Sequence, residues 1–251
     1  MEDNKPNNSW ITAIPYEQWQ VYQAVIDTVC NRDLPFALGG AFALATYTGR
    51  WRNTKDLDLY VLPSHHQEVI DLVEKAGLKD YYEKLPYDRN WIYRSYQEIK
   101  GGDPVIIDVI WSMANSRADI DTVWVKNGPE LEVRGNVLRV IPPEELIWGK
   151  LYVMQKERSD WPDILNIIQS TGPDLNWEHL LARIRDDDRL LASLLSIFAW
   201  LNPERAAQLP TWLWSRLGVQ PPDPNPSPGL VERHAMRLDT RPWFGPLIQD
   251  E

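Results

Sequence analysis

The sequence predicts an α/β fold: a mixed β-sheet flanked by helices, followed by a C-terminal helical region. Three observations carry this. Residues 36–61, FALGGAFALATYTGRWRNTKDLDLYV, read as strand, Gly-Gly turn, helix, polar loop and strand. Residues 91–96 and 105–111, the latter VIIDVIW, read as two further strands joined through the Lys100-Gly101-Gly102-Asp103 turn. Beyond Gly172-Pro173 the apolar spacing is helical throughout.

In chain order, residues 16–30 form a helix with Trp19, Tyr22, Ile26 and Val29 at 3–4 spacing. Asn31-Arg32-Asp33 breaks it, and Pro35 leads into the first strand. Gly39-Gly40 ends that strand. Gly40 lets backbone come close to a phosphate, with the amides of the next helix start aimed at it; the bland alternative is a plain turn. In the strand that follows, residues two apart share a face. Asp56 and Asp58 therefore stand side by side, with Leu57 and Leu59 turned inward. Two carboxylates this close repel unless a cation lies between them. Mg²⁺ takes one or two carboxylates plus substrate phosphates, which makes the pair a candidate seat. Pro63-Ser64 starts a helix over 65–76 that Gly77 closes, and His65 and His66 read as solvated first-turn residues rather than ligands. Asp108, alone among six apolar strand residues, is costly to bury unless paired or metal-bound. It is either satisfied by backbone amides or a third metal ligand.

Residues 112–121 read as a connector or short helix, and 122–141 as short strands VWV, ELEV and VLRVI. Pro142-Pro143 opens a helix with Glu144 and Glu145 in its first turn, as the helix dipole prefers, running to about Arg158. That length sets Lys150 and Arg158 on one side. Ser159-Asp160-Trp161-Pro162 caps the next helix. Helices are expected over 177–185, 190–201, 203–209 and 212–217, with the charge run 183–189 as a solvated junction. PPDPNPSP, residues 221–228, is a linker, and Trp243-Phe244 are apolar enough to dock on the body or on a partner.

Composition bounds the function. At 251 residues, 43% hydrophobic and 25% charged, the chain holds one large or two modest globular domains. A single cysteine, Cys30, excludes an internal disulfide and fits a reducing cytoplasm. The polar, acidic N-terminus is no signal peptide, and no apolar run reaches the ~20 residues that span a membrane. A net charge of −10 disfavours non-specific nucleic-acid binding. It leaves room for a local basic patch at Arg50, Arg52 and Lys55, joined by Lys150 and Arg158.

Gly39-Gly40, the short helix and then Arg52-Asn53-Thr54-Lys55-Asp56-Leu57-Asp58 resemble the signature of the DNA polymerase β-like nucleotidyltransferase superfamily. The R-x-T-x-D-hydrophobic-D form is similar to the bacterial branch of the AbiEii-type toxins, over roughly residues 34–170. In this sequence Gly40 replaces a serine common in the superfamily, and the gap from Gly40 to Asp56 is slightly long. Lys150 followed by Arg158-x-Asp160-x-x-Asp163 resembles a downstream motif of the same branch, with Trp161-Pro162 inserted; the alternative is an ordinary helix junction. The resemblance implies a nucleotidyltransferase domain over 12–145, a helical region over 146–220, and a linker and tail over 221–251. It implies Mg²⁺-dependent transfer of a nucleoside monophosphate from an NTP to a hydroxyl or phosphate on a tRNA, a small molecule such as an antibiotic, or a protein. An antitoxin partner is implied as well. Asp56, Asp58 and Asp108 would hold two Mg²⁺ ions. Gly39, Gly40, Arg52, Lys150, Arg158 and Asp160 would meet the nucleotide, with Thr54 orienting the loop. A catalytically inactive nucleotide-binding protein of the same fold, or a metal-dependent hydrolase using the same acids, stays open.

Overall fold

The computed structural model describes residues 8–52 and 54–238. The chain divides at Pro142-Pro143 into two compact units.

The first unit is built on a mixed five-stranded sheet. Helix α1 (Tyr16–Cys30) precedes β1 (Phe36–Leu38), α2 (Gly40–Thr48), β2 (Asp56–Val61), α3 (His66–Lys75), β3 (Lys79–Asp80), β4 (Ile92–Gln97) and β5 (Val105–Ile110). The strand order is β1-β2-β5-β4-β3, with β2 and β5 parallel and the other pairs antiparallel. Placing β5 between β2 and β4 makes it the central strand, so its apolar run is buried along almost its whole length. Burial alternates along β2: Leu57, Leu59 and Val61 are fully buried, while Asp56, Asp58 and Tyr60 are partly exposed. Helices α1 and α3 pack on each other and over β5.

After β5 the chain departs from expectation. VWV, expected as a strand, lies within helix α4 (Thr122–Lys126). Asp121 caps it, its Oδ1 accepting from the Val123 amide at 3.0 Å, a local cap that outweighs the β preference of valine and tryptophan. Trp124 then stacks on Tyr60 at 5.5 Å. Strands β6 (Glu130–Val133) and β7 (Asn136–Arg139) form the expected hairpin. Its two-residue turn, Arg134-Gly135, has both φ angles positive, the geometry that matches strand twist.

The second unit comprises α5 (Pro143–Leu151), α6 (Trp161–Thr171), α7 (Trp177–Ile184), α8 (Asp188–Leu201), α9 (Pro203–Ala206), α10 (Thr211–Leu217) and α11 (Leu230–Arg237). Helix α5 stops at Leu151 rather than near Arg158. The chain folds into a tight reversal instead, with the Gln155 amide on the Arg158 carbonyl and a bridge between Met154 and Ser159. Glu144 and Glu145 do more than complement a helix dipole. Glu144 accepts from the Asn176 amide at 2.7 Å, and Glu145, fully buried, meets His179 Nε2 at 2.7 Å and Arg183 Nε at 3.1 Å. These contacts tie α5 to α7, so Arg183 is not part of a solvated junction. The apolar stripe of α8 is core: Leu191, Leu194, Leu195, Phe198 and Leu201 are buried. Within the stretch expected as linker and tail, α11 forms and packs on α8, and His234 stacks on Trp200 at 4.0 Å. Trp243 and Phe244 lie outside the described residues.

Candidate active site

The site residues of the first unit gather around the start of β2. Strand β1 runs into Gly39, whose amide donates to the Asp58 carbonyl at 3.0 Å. A Cβ on Gly39 would lie 2.0 Å from the Tyr60 ring, and one on Gly40 only 1.7 Å from Asp58 Oδ2. Gly40 also has φ +49°, which costs little for glycine and strains other residues. Gly-Gly is therefore needed on steric grounds: it lets α2 begin directly beside the Asp58 carboxylate.

Two residues of the polar segment before β2, Trp51 and Thr54, are held by their neighbours. Trp51 is buried, stacked on Trp10 at 4.9 Å and set edge-on to Phe42 at 5.4 Å. From α1, the buried Gln18 donates to the Thr54 carbonyl and to the Tyr22 hydroxyl, the latter at 2.6 Å. Burial, with the nearby charges of Asp56 and Asp58 adding to it, raises the Tyr22 phenol and keeps it neutral. Thr54 Oγ1 accepts from the Asp56 amide at 3.3 Å. Arg52 is exposed.

Asp56 and Asp58 share one face of β2, and register sets Asp58 directly beside Asp108 of β5. On the far side of Asp108, β4 brings Arg94 into the same row. The arginine grips Asp108 with both arms of its fork, Nε to Oδ1 at 2.8 Å and Nη2 to Oδ2 at 2.5 Å. The same Nη2 lies 3.8 Å from Asp56 Oδ2. Asp108 is 1% exposed. Burial pushes its carboxyl above the ordinary range, while Arg94 pulls it back toward ionisation. The partner of Asp108 is thus a side chain, where the sequence left open backbone amides or a metal. Among the described residues, no three His, Cys, Asp or Glu side chains are grouped to hold a metal ion. The residues present fit a single hard cation on Asp56 and Asp58, with phosphate oxygens completing its shell.

Lys150, Arg158 and Asp160 converge within the second unit. Lys150 Nζ meets Asp160 Oδ2 at 2.7 Å and Asp163 Oδ2 at 2.6 Å, and Arg158 Nε meets Asp160 Oδ1 at 3.0 Å. The side chains of Lys150 and Asp160 are only 13% and 9% exposed. This joins the end of α5 to the start of α6. Lys150 and Arg158 come together through the reversal over 152–159, not along one helix. Burial raises the Asp160 carboxyl, but the charges and hydrogen bonds of Lys150 and Arg158 outweigh it and hold the group below the usual range. In the first unit Lys55 pairs with Asp103 at 2.6 Å. Three cations of the expected basic patch are therefore already matched by carboxylates.

Sequence reasoning missed Arg94, Gln18 and Tyr22. A signal for Arg94 existed: IYRSYQ and VIIDVI each carry one charge within an apolar hairpin strand, and opposite charges in facing strands favour pairing.

The family model described as "Nucleotidyl transferase AbiEii toxin, Type IV TA system" matches residues 30–238. Among the curated proteins no significant match is found. Several solved structures are similar. The antibiotic-resistance factor ANT(2'')-Ia is 20% identical, covering 70% of this chain and 95% of its own, with a TM-score of 0.47. The lincosamide antibiotic adenylyltransferase LnuA, lincomycin-bound, is 17% identical, covering 61% and 96%, at 0.43. JHP933 from Helicobacter pylori is 15% identical, covering 90% and 98%, at 0.43.

Two outcomes follow from this geometry. Gly40→Ala must shift the Asp58 carboxylate and strain the backbone, so urea denaturation should show a loss of about 1–3 kcal/mol; an unchanged midpoint would show that the contact is slack. Asp160, depressed in the folded state, stabilises fully above its unfolded pKa of about 3.9, and that contribution fades as pH falls through the folded value. The melting-temperature gap between wild type and Asp160→Asn should accordingly be flat near neutrality and close under acid conditions. A gap that widens on acidification would contradict the assignment.

Proposed function

The chain belongs to the AbiEii family of nucleotidyl transferase toxins of type IV toxin–antitoxin systems, and from that premise we propose a Mg²⁺-dependent transfer of a nucleoside monophosphate from an NTP to a hydroxyl or phosphate acceptor. The observation that carries this reading is the paired carboxylates of β2, with two glycines letting the start of α2 lie directly against Asp58. Asp56 and Asp58 would hold the ion, which when bound polarises the α-phosphate and offsets the charge of the leaving pyrophosphate. Gly39 and Gly40 supply backbone close enough for phosphate oxygens, and the positive end of α2 faces the same place. Arg52 is an exposed cation on the segment that leads into Asp56, suited to the outer phosphates.

The cluster of Lys150, Arg158 and Asp160 supports a role in bracing the end of α5 against the start of α6 rather than delivery of a loose positive charge, since its cations are already engaged. Cations so engaged also give a polyanionic acceptor little to grip, which weighs for a small molecule or a protein over tRNA. The family description implies an antitoxin as the protein partner.

The test is incubation of the purified chain with Mg²⁺ and each α-labelled NTP, offering tRNA, aminoglycosides and the protein itself as acceptors. Wild type should label one of them. Asp58→Asn should lower the rate at least about 100-fold while its metal-free melting temperature stays level or rises, because a repulsion has been removed. Hydrolysis of NTP without label transfer would point to the hydrolase reading, and retained transfer by Asp58→Asn would remove the carboxylate pair from the site.

A further inference from the structure

We infer that Arg94 is the resident counter-ion of the carboxylate row and takes, at Asp108, the place a second divalent cation would need, so that the site accepts one divalent ion at Asp56 and Asp58. This rests on the metal-dependent reading above and narrows it.

Asp58, Asp108 and Arg94 lie in register on β2, β5 and β4, which aligns their side chains in one row on one face. An ion bridging Asp58 and Asp108 would need oxygens that Arg94 already uses, both of them, through a planar fork matched to a carboxylate. Metal ions in paired sites sit about 3.5–4 Å apart, so the guanidinium and a second ion would contend for the same few ångströms with like charge. Arginine cannot leave by losing a proton. Its backbone is fixed as well. Strand β3 reaches only to the pairing of Asp80 with Ser95, and at the next position Tyr87 takes over. Its hydroxyl accepts from the Arg94 amide at 2.8 Å and donates to the Arg94 carbonyl at 3.2 Å. The Arg94 side chain is 35% exposed, and its Nη2 also leans toward Asp56 at 3.8 Å. Asp108 is then a positioning residue: it ligates no ion and aims a permanent single charge at the edge of the Asp56–Asp58 site.

Electron paramagnetic resonance of Mn²⁺ decides this, because two ions at that separation are exchange-coupled and one is not. With saturating Mn²⁺ and a non-hydrolysable NTP analogue, wild type should give an uncoupled, protein-dependent spectrum. Arg94→Gln should give a coupled pair, and Arg94→Gln combined with Asp108→Asn should return to the uncoupled form. A coupled pair in wild type, or its absence in a folded Arg94→Gln, overturns the inference. If Arg94→Gln does not fold, the wild-type spectrum decides alone, and the double variant, which buries no unpaired charge, shows whether Asp108 had been ligating. No protein-dependent signal in any variant would instead sink the metal reading beneath it.

Discussion

Asp108 lies at the centre of a five-stranded sheet, 1% exposed, with another carboxylate directly beside it on β2. Removing a carboxylate from water carries a penalty of several kcal/mol even after relaxation, and the nearby Asp56 adds repulsion. What makes this placement tolerable is the two-armed grip of Arg94 from β4. The strand order follows the same need. With β5 between β2 and β4, a parallel partner brings the second acid and an antiparallel partner brings the base.

The features around this row serve the same face. Gly39 and Gly40 have no Cβ because Tyr60 and Asp58 fill the space one would occupy. In the lead-in to β2, Thr54 is held by Gln18 and Trp51 by the Trp10 and Phe42 rings. Opposite, Leu57, Leu59, Ile107 and Val109 are completely buried, which fixes the register and hence the faces. A one-residue slip would bury Asp56 and Asp58 in that core, so the site inherits its geometry from the hydrophobic pattern.

That pattern is why much of the fold was legible in the sequence. Period-two alternation in DLDLYV, the lone acid in VIIDVI and the helical spacing of residues 16–30 are local signals, and the elements form there. Asp108 was legible as a residue needing a partner. Its partner was not, because Arg94 reaches it through long-range strand register. Elsewhere the losing signal was outvoted locally: valine and tryptophan in α4 by the Asp121 cap, and the continuous helical pattern past Leu151 by the reversal that brings Arg158 to Asp160. Glu145 read only as a first-turn acid suited to the helix dipole because its partners, His179 and Arg183, lie more than thirty residues onward.

The most direct test of the claim that Arg94 and Asp108 act as one unit is a double-mutant cycle in stability, with urea, no metal and near-neutral pH. Arg94→Gln should cost about 3–5 kcal/mol, because it strands a buried charge. Adding Asp108→Asn should recover much of that loss, giving a coupling above about 1 kcal/mol. Effects that simply add, within about 0.5 kcal/mol, would contradict the account.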